Sequence, residues 1–265
     1  MMIRNCFLLL ATSIFLFSCK NNENKKSAVI TSEYIIALQN QVLASPDNIN
    51  IHYALVNSLD SAGYYNEAFQ EINQLISKDS LNAQFWLIKG QIQGHLKDTP
   101  SAIISYRRSI RVYASPDAML TLANIYAETK NDTTLVLCNN VLQMKLGKQY
   151  DAHANFIAGV YYARKLHYSK AFALFDECIN NSYTYMVAYL EKGFIYYDLK
   201  NYNEALKIFQ LAATISNAYA DAYYWQAKCF EALKNKTEAI NNYQKALSLD
   251  KNLKEAEIAL KRLNQ

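Results

Sequence analysis

The chain of 265 residues is poor in the residues that interrupt regular structure, with six Gly and three Pro. An all-β fold of this length needs a turn residue about every ten positions, and so few breakers exclude it. Long helices joined by short loops are the expected fold. A dominant charge is also missing: 27 Lys plus Arg stand against 23 Asp plus Glu, which gives no strongly basic face for nucleic acid. There is no GxSxG, HExxH, glycine-rich phosphate loop or EF-hand ligand series. The four His (His52, His95, His153, His167) share no pattern and read as surface or partly packed imidazoles. Neither catalysis nor a metal or cofactor is expected. Cysteine is scarce and lacks CxxC spacing, so Cys138, Cys178 and Cys229 read as small apolar core residues. Hydrophobic residues, at 51%, are plentiful enough to bury a sizeable core.

The first residues have a layout of their own. Arg4 precedes an apolar run from Phe7 to Phe17 and then Ser18-Cys19, the order of a secretory signal peptide and too short to span a bilayer comfortably. Leu16-Phe17-Ser18-Cys19 also resembles the bacterial lipobox, in which the Cys after a small residue is diacylated and becomes the new N-terminus. That resemblance implies a signal peptide over 1–18, lipidation at Cys19 and attachment to a membrane of the cell envelope. The outer membrane, on its periplasmic side, is the expected site. Surface display is a further option, although the acidic stretch that directs it in some bacteria is reduced here to Glu23. Residues 19–31 are polar and rich in Asn and Lys, with too little apolar surface to fold, and read as a flexible tether. The body that follows is close to neutral.

From Ile49 the sequence repeats at a spacing near 34 residues. One column holds Ala68, Ala102, Ala171, Ala205 and Ala239. Four residues later stand Ile72, Tyr106, Phe175, Phe209 and Tyr243, and three later again Leu75, Ser109, Cys178, Ala212 and Ala246. Steps of four and three put all three columns on one helical face. Earlier in each unit a small residue (Val56, Gly90, Ala123, Gly159, Gly193, Ala227) is followed three positions on by Leu59, Gln93, Tyr126, Tyr162, Tyr196 or Phe230. Each unit therefore contains two helices, A and B.

These columns resemble the tetratricopeptide repeat (TPR), whose signature Tyr189, Gly193, Tyr196, Ala205, Phe209 and Ala212 reproduce. The resemblance implies an all-α, right-handed superhelical solenoid of six helix-turn-helix repeats at 49–82, 83–115, 116–151, 152–185, 186–219 and 220–253. Residues 32–48 and 254–265 would supply capping helices, because no unit can bury its apolar stripe alone. Boundary chemistry is consistent: Thr99-Pro100 reads as a capping hydroxyl with Pro in the first turn, and Glu67, Glu204 and Glu238 open their helices. The third unit is degenerate, offering Leu135, Asn139 and Leu142 where Ala, aromatic and Ala are expected. Its junction is expected to be looser.

Stacked repeats of this kind curve, with helix A on the concave side. Residues there that A/B packing does not use are the candidate ligand contacts: Asn57, Gln91 and Asn124 at a polar end, Phe156, Phe194, Tyr197, Tyr224 and Lys228 at an aromatic end. Phe156 and Tyr224 have packing between units as an equal reading, whereas Phe194 and Tyr197 are harder to place in a core. Asp221 and Glu231 read as a solvated face. The subclass of these repeats that clamps a C-terminal carboxylate is not supported, since Tyr53, Asp117 and Thr121 occupy the positions its cations would need. The expected function is a membrane-anchored adaptor that binds a peptide or protein segment of a cell-envelope partner, without nucleic acid. The alternative is an envelope receptor for a small ligand or glycan, stacked on the aromatic inner surface.

Overall fold

A computed structural model describes residues 32–264, which form fourteen helices and no strand. Helix α1 (Ser32–Ala44) is followed by α2 (Ile49–Ser61) and α3 (Tyr65–Lys78), α4 (Ala83–His95) and α5 (Thr99–Val112), and α6 (Pro116–Glu128) and α7 (Thr133–Gln143). Then come α8 (Lys148–Arg164) and α9 (Tyr168–Asn181), α10 (Met186–Asp198) and α11 (Tyr202–Ile215), α12 (Ala220–Ala232) and α13 (Lys236–Leu249), and the closing α14 (Lys254–Leu263). Even-numbered members of the pairs α2 to α13 are A helices and odd-numbered members are B helices. Each B helix packs on its own A helix and on the next, so the six pairs stack in chain order.

The repeat columns are the core. Every residue of the Ala68 and Ile72 columns is buried, and so is the Leu75 column. At three crossings a glycine on helix A lies under a ring on helix B: Gly90 under Tyr106, Gly159 under Phe175 and Gly193 under Phe209. A side chain there would sit inside van der Waals contact with the ring, which is why the small residue recurs. Where Gln93 replaces an aromatic, the buried Ser105 hydroxyl donates to its Oε1 at 2.6 Å, so the substitution leaves no orphan polar group.

Turn chemistry sets the lengths. Each A helix ends in a residue of positive φ (Gly63, Lys97, Lys130, Leu166, Lys200, Lys234), and the chain then bonds back into the last turn. After α10 the Lys200 N–H donates to the Tyr197 carbonyl and the Asn201 N–H to that of Tyr196, both at 2.9 Å. This is a Schellman cap, which satisfies the final carbonyls and reverses the chain within a few residues. Helix starts use side-chain acceptors at Asn48, Asn82, Asp98, Ser115 and Asn235. One expectation is corrected here: the acceptor before α5 is Asp98, which takes the Ser101 N–H at 3.2 Å, while Thr99 and Pro100 already belong to the helix. Glu67, Glu204 and Glu238 do lie in first turns.

The third pair is also corrected. The residues of α7 that enter the core are Thr134, Leu137, Cys138 and Val141, whereas Leu135 and Leu142 lie at its margin and Asn139 is exposed. Thr134, Cys138 and Val141 keep the steps of four and three, one residue earlier than expected. Register is retained, and these residues join a core cluster that runs without interruption into α8, α9 and α10. The basis for a looser junction therefore disappears. Helix α8 begins at Lys148, ahead of the expected unit start at 152, after a Gly147 whose φ of 100° lets the chain turn.

The ends are covered. Ile35 and Leu38 of α1 pack into the first pair, and Ala256 and Ala259 of α14 into the last. His52, expected at or near the surface, is instead wholly buried under the α1–α2 turn. Its Nε2 bonds the Pro46 carbonyl at 2.8 Å and its Nδ1 bonds Glu71 at 3.0 Å, tying that turn to α3. Among the described residues no helix is long and apolar enough to cross a membrane. Cys19 and the expected tether lie outside the described residues.

Candidate functional site

The candidate contacts all stand on A helices. At the first end Asn57 on α2 is exposed, while Gln91 on α4 and Asn124 on α6 are half-buried. No hydrogen bond among the described residues engages these amides, so they are available to a ligand backbone. The positions that exclude a carboxylate clamp are occupied otherwise. Tyr53 packs near Phe85 at 6.2 Å, the Thr121 hydroxyl donates to the Asp117 carbonyl at 2.8 Å, and the Asp117 carboxylate accepts from the Tyr150 hydroxyl at 3.2 Å.

The other end is aromatic, but its rings are more committed than the sequence implied. Phe194 and Tyr197 on α10 were the two expected to be harder to place in a core. They lie 4.6 and 5.5 Å from the Trp225 ring of α12, and Phe194 also meets Phe209 at 5.9 Å. Offset and edge-on contacts at such distances are favourable, so these residues hold one A helix to the next. Tyr224 contacts Trp225 at 5.6 Å and Tyr243 at 5.7 Å, and Phe156 contacts Tyr185 at 5.1 Å and Phe175 at 5.9 Å. All four stay half-exposed, so each offers part of its ring on the A side. Trp225 is the member that sequence reading missed. Its signal was a Trp directly after a candidate contact, in a chain with two Trp.

A charged bridge crosses the middle of this face. Arg164 on α8 forks to Glu128 on α6 at 2.8 and 3.0 Å and to Glu191 on α10 at 3.1 and 3.3 Å. Burial disfavours the guanidinium charge, but the bonds and charges of both carboxylates outweigh it and hold its pKa above the ordinary arginine value. Nearer the first end the Asp60 carboxylate bonds His95 at 2.8 Å across α2 and α4. His153 on α8 has its pKa lowered by burial, with Asp117 opposing that shift.

Lys228 stands half-exposed on α12, one turn from Tyr224. The expected solvated pair Asp221 and Glu231 is corrected. Burial, with the charge of Asp250, raises the Asp221 pKa, and Glu231 accepts bonds from the Tyr243 hydroxyl at 2.9 Å and from Arg262 of α14 at 2.7 Å. Buried Cys138, Cys178 and Cys229 are free thiols, each pushed up to about 12 by desolvation, and so are inert at neutral pH. Among the described residues no group of three or more His, Cys, Asp or Glu could hold a metal ion.

Paired helices with a glycine-under-ring crossing and a six-fold register decide the family. Three models of the tetratricopeptide repeat match residues 53–119, 187–219 and 220–253. The chain is built from tetratricopeptide repeats. Its fold is the expected all-α, right-handed superhelical TPR solenoid. A TPR protein of Parabacteroides merdae superposes with a TM-score of 0.72 at 16% identity, over 88% of this chain and 91% of that one. PilW, a widely conserved type IV pilus biogenesis factor, gives 0.67 at 18%, over 81% and 99%. The C-terminal part of a TPR protein of Cytophaga hutchinsonii gives 0.53 at 16%, over 86% and 93%. Identities this low establish the shared TPR fold alone. No curated protein matches this chain.

Proposed function

We propose that this chain is a membrane-anchored adaptor that holds a peptide or protein segment of a cell-envelope partner along its A-helix face. The observation that carries the reading is the division of that face. Unengaged amides of Asn57, Gln91 and Asn124 mark one end, and half-exposed rings of Phe156, Phe194, Tyr197 and Tyr224, with Lys228, mark the other. An extended segment needs both: amides to bond its backbone and rings to receive an apolar anchor. The rings are already fixed by their neighbours, so little rotamer entropy would be lost on binding. The membrane part of the reading rests on the sequence Leu16-Phe17-Ser18-Cys19. Two or more acyl chains on one Cys hold a protein durably at a bilayer.

The packing roles of Phe194 and Tyr197 shape the test, because truncating them would disturb the fold as well as the face. Substitutions at Asn57→Arg, Gln91→Arg and Asn124→Arg avoid that. Together they should leave helical content unchanged and abolish recovery of a defined protein in a cross-linking pull-down from membranes. Lys228→Glu should weaken the same recovery from the other end. Unchanged recovery in both variants would sink the adaptor reading, and retention of a soluble glycan in place of a protein would favour the receptor alternative. Anchoring has its own readout: metabolic palmitate labelling should be present in the native chain and absent after Cys19→Ser.

A further inference from the structure

The described residues are almost neutral, with 23 Lys plus Arg against 22 Asp plus Glu, yet their arginines are not evenly spread. Three of the five, Arg107, Arg108 and Arg111, stand on α5. With Ile104 they follow the steps i, i+3, i+4 and i+7, which is one helical stripe. They line an open depression of about 230 Å³. None of the three forms an ion pair among the described residues, whereas Arg164 and Arg262 both do. Arg108 is held in place by the Trp86 ring, 5.7 Å away. Ile104 is 66% exposed beside them, so the stripe is cationic with an aliphatic side chain in its midst.

Helix α5 turns Ala102, Ser105, Tyr106 and Ser109 into the core, so the arginine stripe lies on the opposite side of α5, from which Arg108 reaches back to Trp86 of α4. Gln91 stands on α4, about 100° round that helix from Gly90, the residue that meets α5. The two surfaces of this repeat are thus on different helices and different faces, and a planar object against one leaves the other open.

We propose that the α5 stripe docks on the anionic headgroups of the membrane that carries the protein, so that the A-helix face is presented away from the bilayer. Charge complementarity is the first ground: guanidinium pairs phosphate oxygens in forked geometry, and an exposed aliphatic side chain among cations suits the headgroup boundary. The second is the chain that precedes the structure. Its apolar run ends near Cys19, and the polar stretch from there to Thr31 joins α1, one repeat away from α4 and α5. The thirteen residues 19–31 can span at most about 45 Å, and packed helices are about 10 Å apart, so α5 is within range of the surface to which Cys19 would be attached. The inference rests on the anchored reading for this proximity alone.

Arginine modification by phenylglyoxal, read by mass spectrometry, tests it on the full chain mixed with vesicles. Vesicles of phosphatidylcholine with phosphatidylglycerol should lower the reactivity of Arg107 and Arg111 about tenfold relative to phosphatidylcholine alone, with recovery at high salt and no change at Arg262. Substituting all three arginines with Gln should abolish the preference for anionic vesicles, and substituting them with Lys should largely keep it. Equal reactivity on both vesicles would overturn the proposal. So would equal protection by inorganic phosphate without vesicles, or protection on neutral vesicles that needs an added acidic protein. Protection of the stripe in a chain whose Cys19 carries no lipid would keep this inference while removing the anchor.

Discussion

A single hydrogen atom decides what three of the helix crossings can accommodate. A Cβ at Gly193 would lie 2.3 Å from a Phe209 ring carbon, and at Gly90 and Gly159 2.6 Å from Tyr106 and Phe175. At two further crossings helix A carries more and helix B less: Val56 shares a core with Ile72, and Ala123 with Cys138, whereas the last pair combines Ala227 with Tyr243. At those two crossings the volume is redivided between the helices, whereas Gly193 closes on the Phe209 ring with no room to spare. Gly193→Ala should therefore destabilise the protein by about 1–2 kcal/mol, the overpacking cost less the gain from a better helix former. Gly94, in α4, meets nothing within 4 Å, so the same change there should stabilise by up to about 1 kcal/mol. Urea midpoints of the two variants, compared with the parent at similar slope, should move in opposite directions. A shift of the same sign in both would show that helix propensity outweighs the crossing.

The helices themselves were largely legible, because columns at steps of three and four are visible wherever six copies can be aligned. The third B helix was not. Counting from its neighbours puts its columns one residue too late, and a one-residue shift turns a helical residue through about 100°, enough to exchange core for margin. Thr134, Cys138 and Val141 carry no aromatic to mark the register, so the apolar Leu135 and Leu142 were the more visible choice. The turns were hidden for a different reason. Positive φ usually announces itself as Gly, yet five of the six A-helix ends use Lys or Leu there, at φ between 58° and 63°. A side chain in that region costs about 1–2 kcal/mol, part of which glycine would give back in chain entropy. Lys200→Gly is thus expected to stabilise by about 0.5–1 kcal/mol, read as a higher melting temperature without loss of helicity. Gly63→Ala, at φ 84°, should lower it. If Lys200→Gly melts lower than the parent, the caps are not under the backbone strain assigned to them.

For the molecule as a whole, stability is the sum of unit terms and of contacts between neighbours, and no core cluster spans every repeat. Contacts that link several units then decide whether the solenoid unfolds in one step. Arg164 does this by bonding the preceding and the following A helix at once. Its partners were not marked in the sequence: neither Glu128 nor Glu191 stands in a repeat column, and nothing local shows that they meet Arg164 from α6 and α10. Arg164→Ala removes the fork and leaves Glu191, which is 16% exposed, facing Glu128 with no cation between them. The loss should be about 1–2 kcal/mol, below the figure for a buried bridge because the guanidinium is 34% exposed and Glu128 49%. Its larger effect should be on cooperativity, with the urea transition broadening as the halves on either side of α8 unfold separately. Arg164→Lys keeps the charge but cannot fork to both carboxylates, so it should fall between the two. Much of the difference between parent and Arg164→Ala should vanish in molar salt, where the screening length is about 3 Å. A single sharp transition in Arg164→Ala, with the parent's slope, would mean that the apolar contacts between α6, α8 and α10 couple the units by themselves.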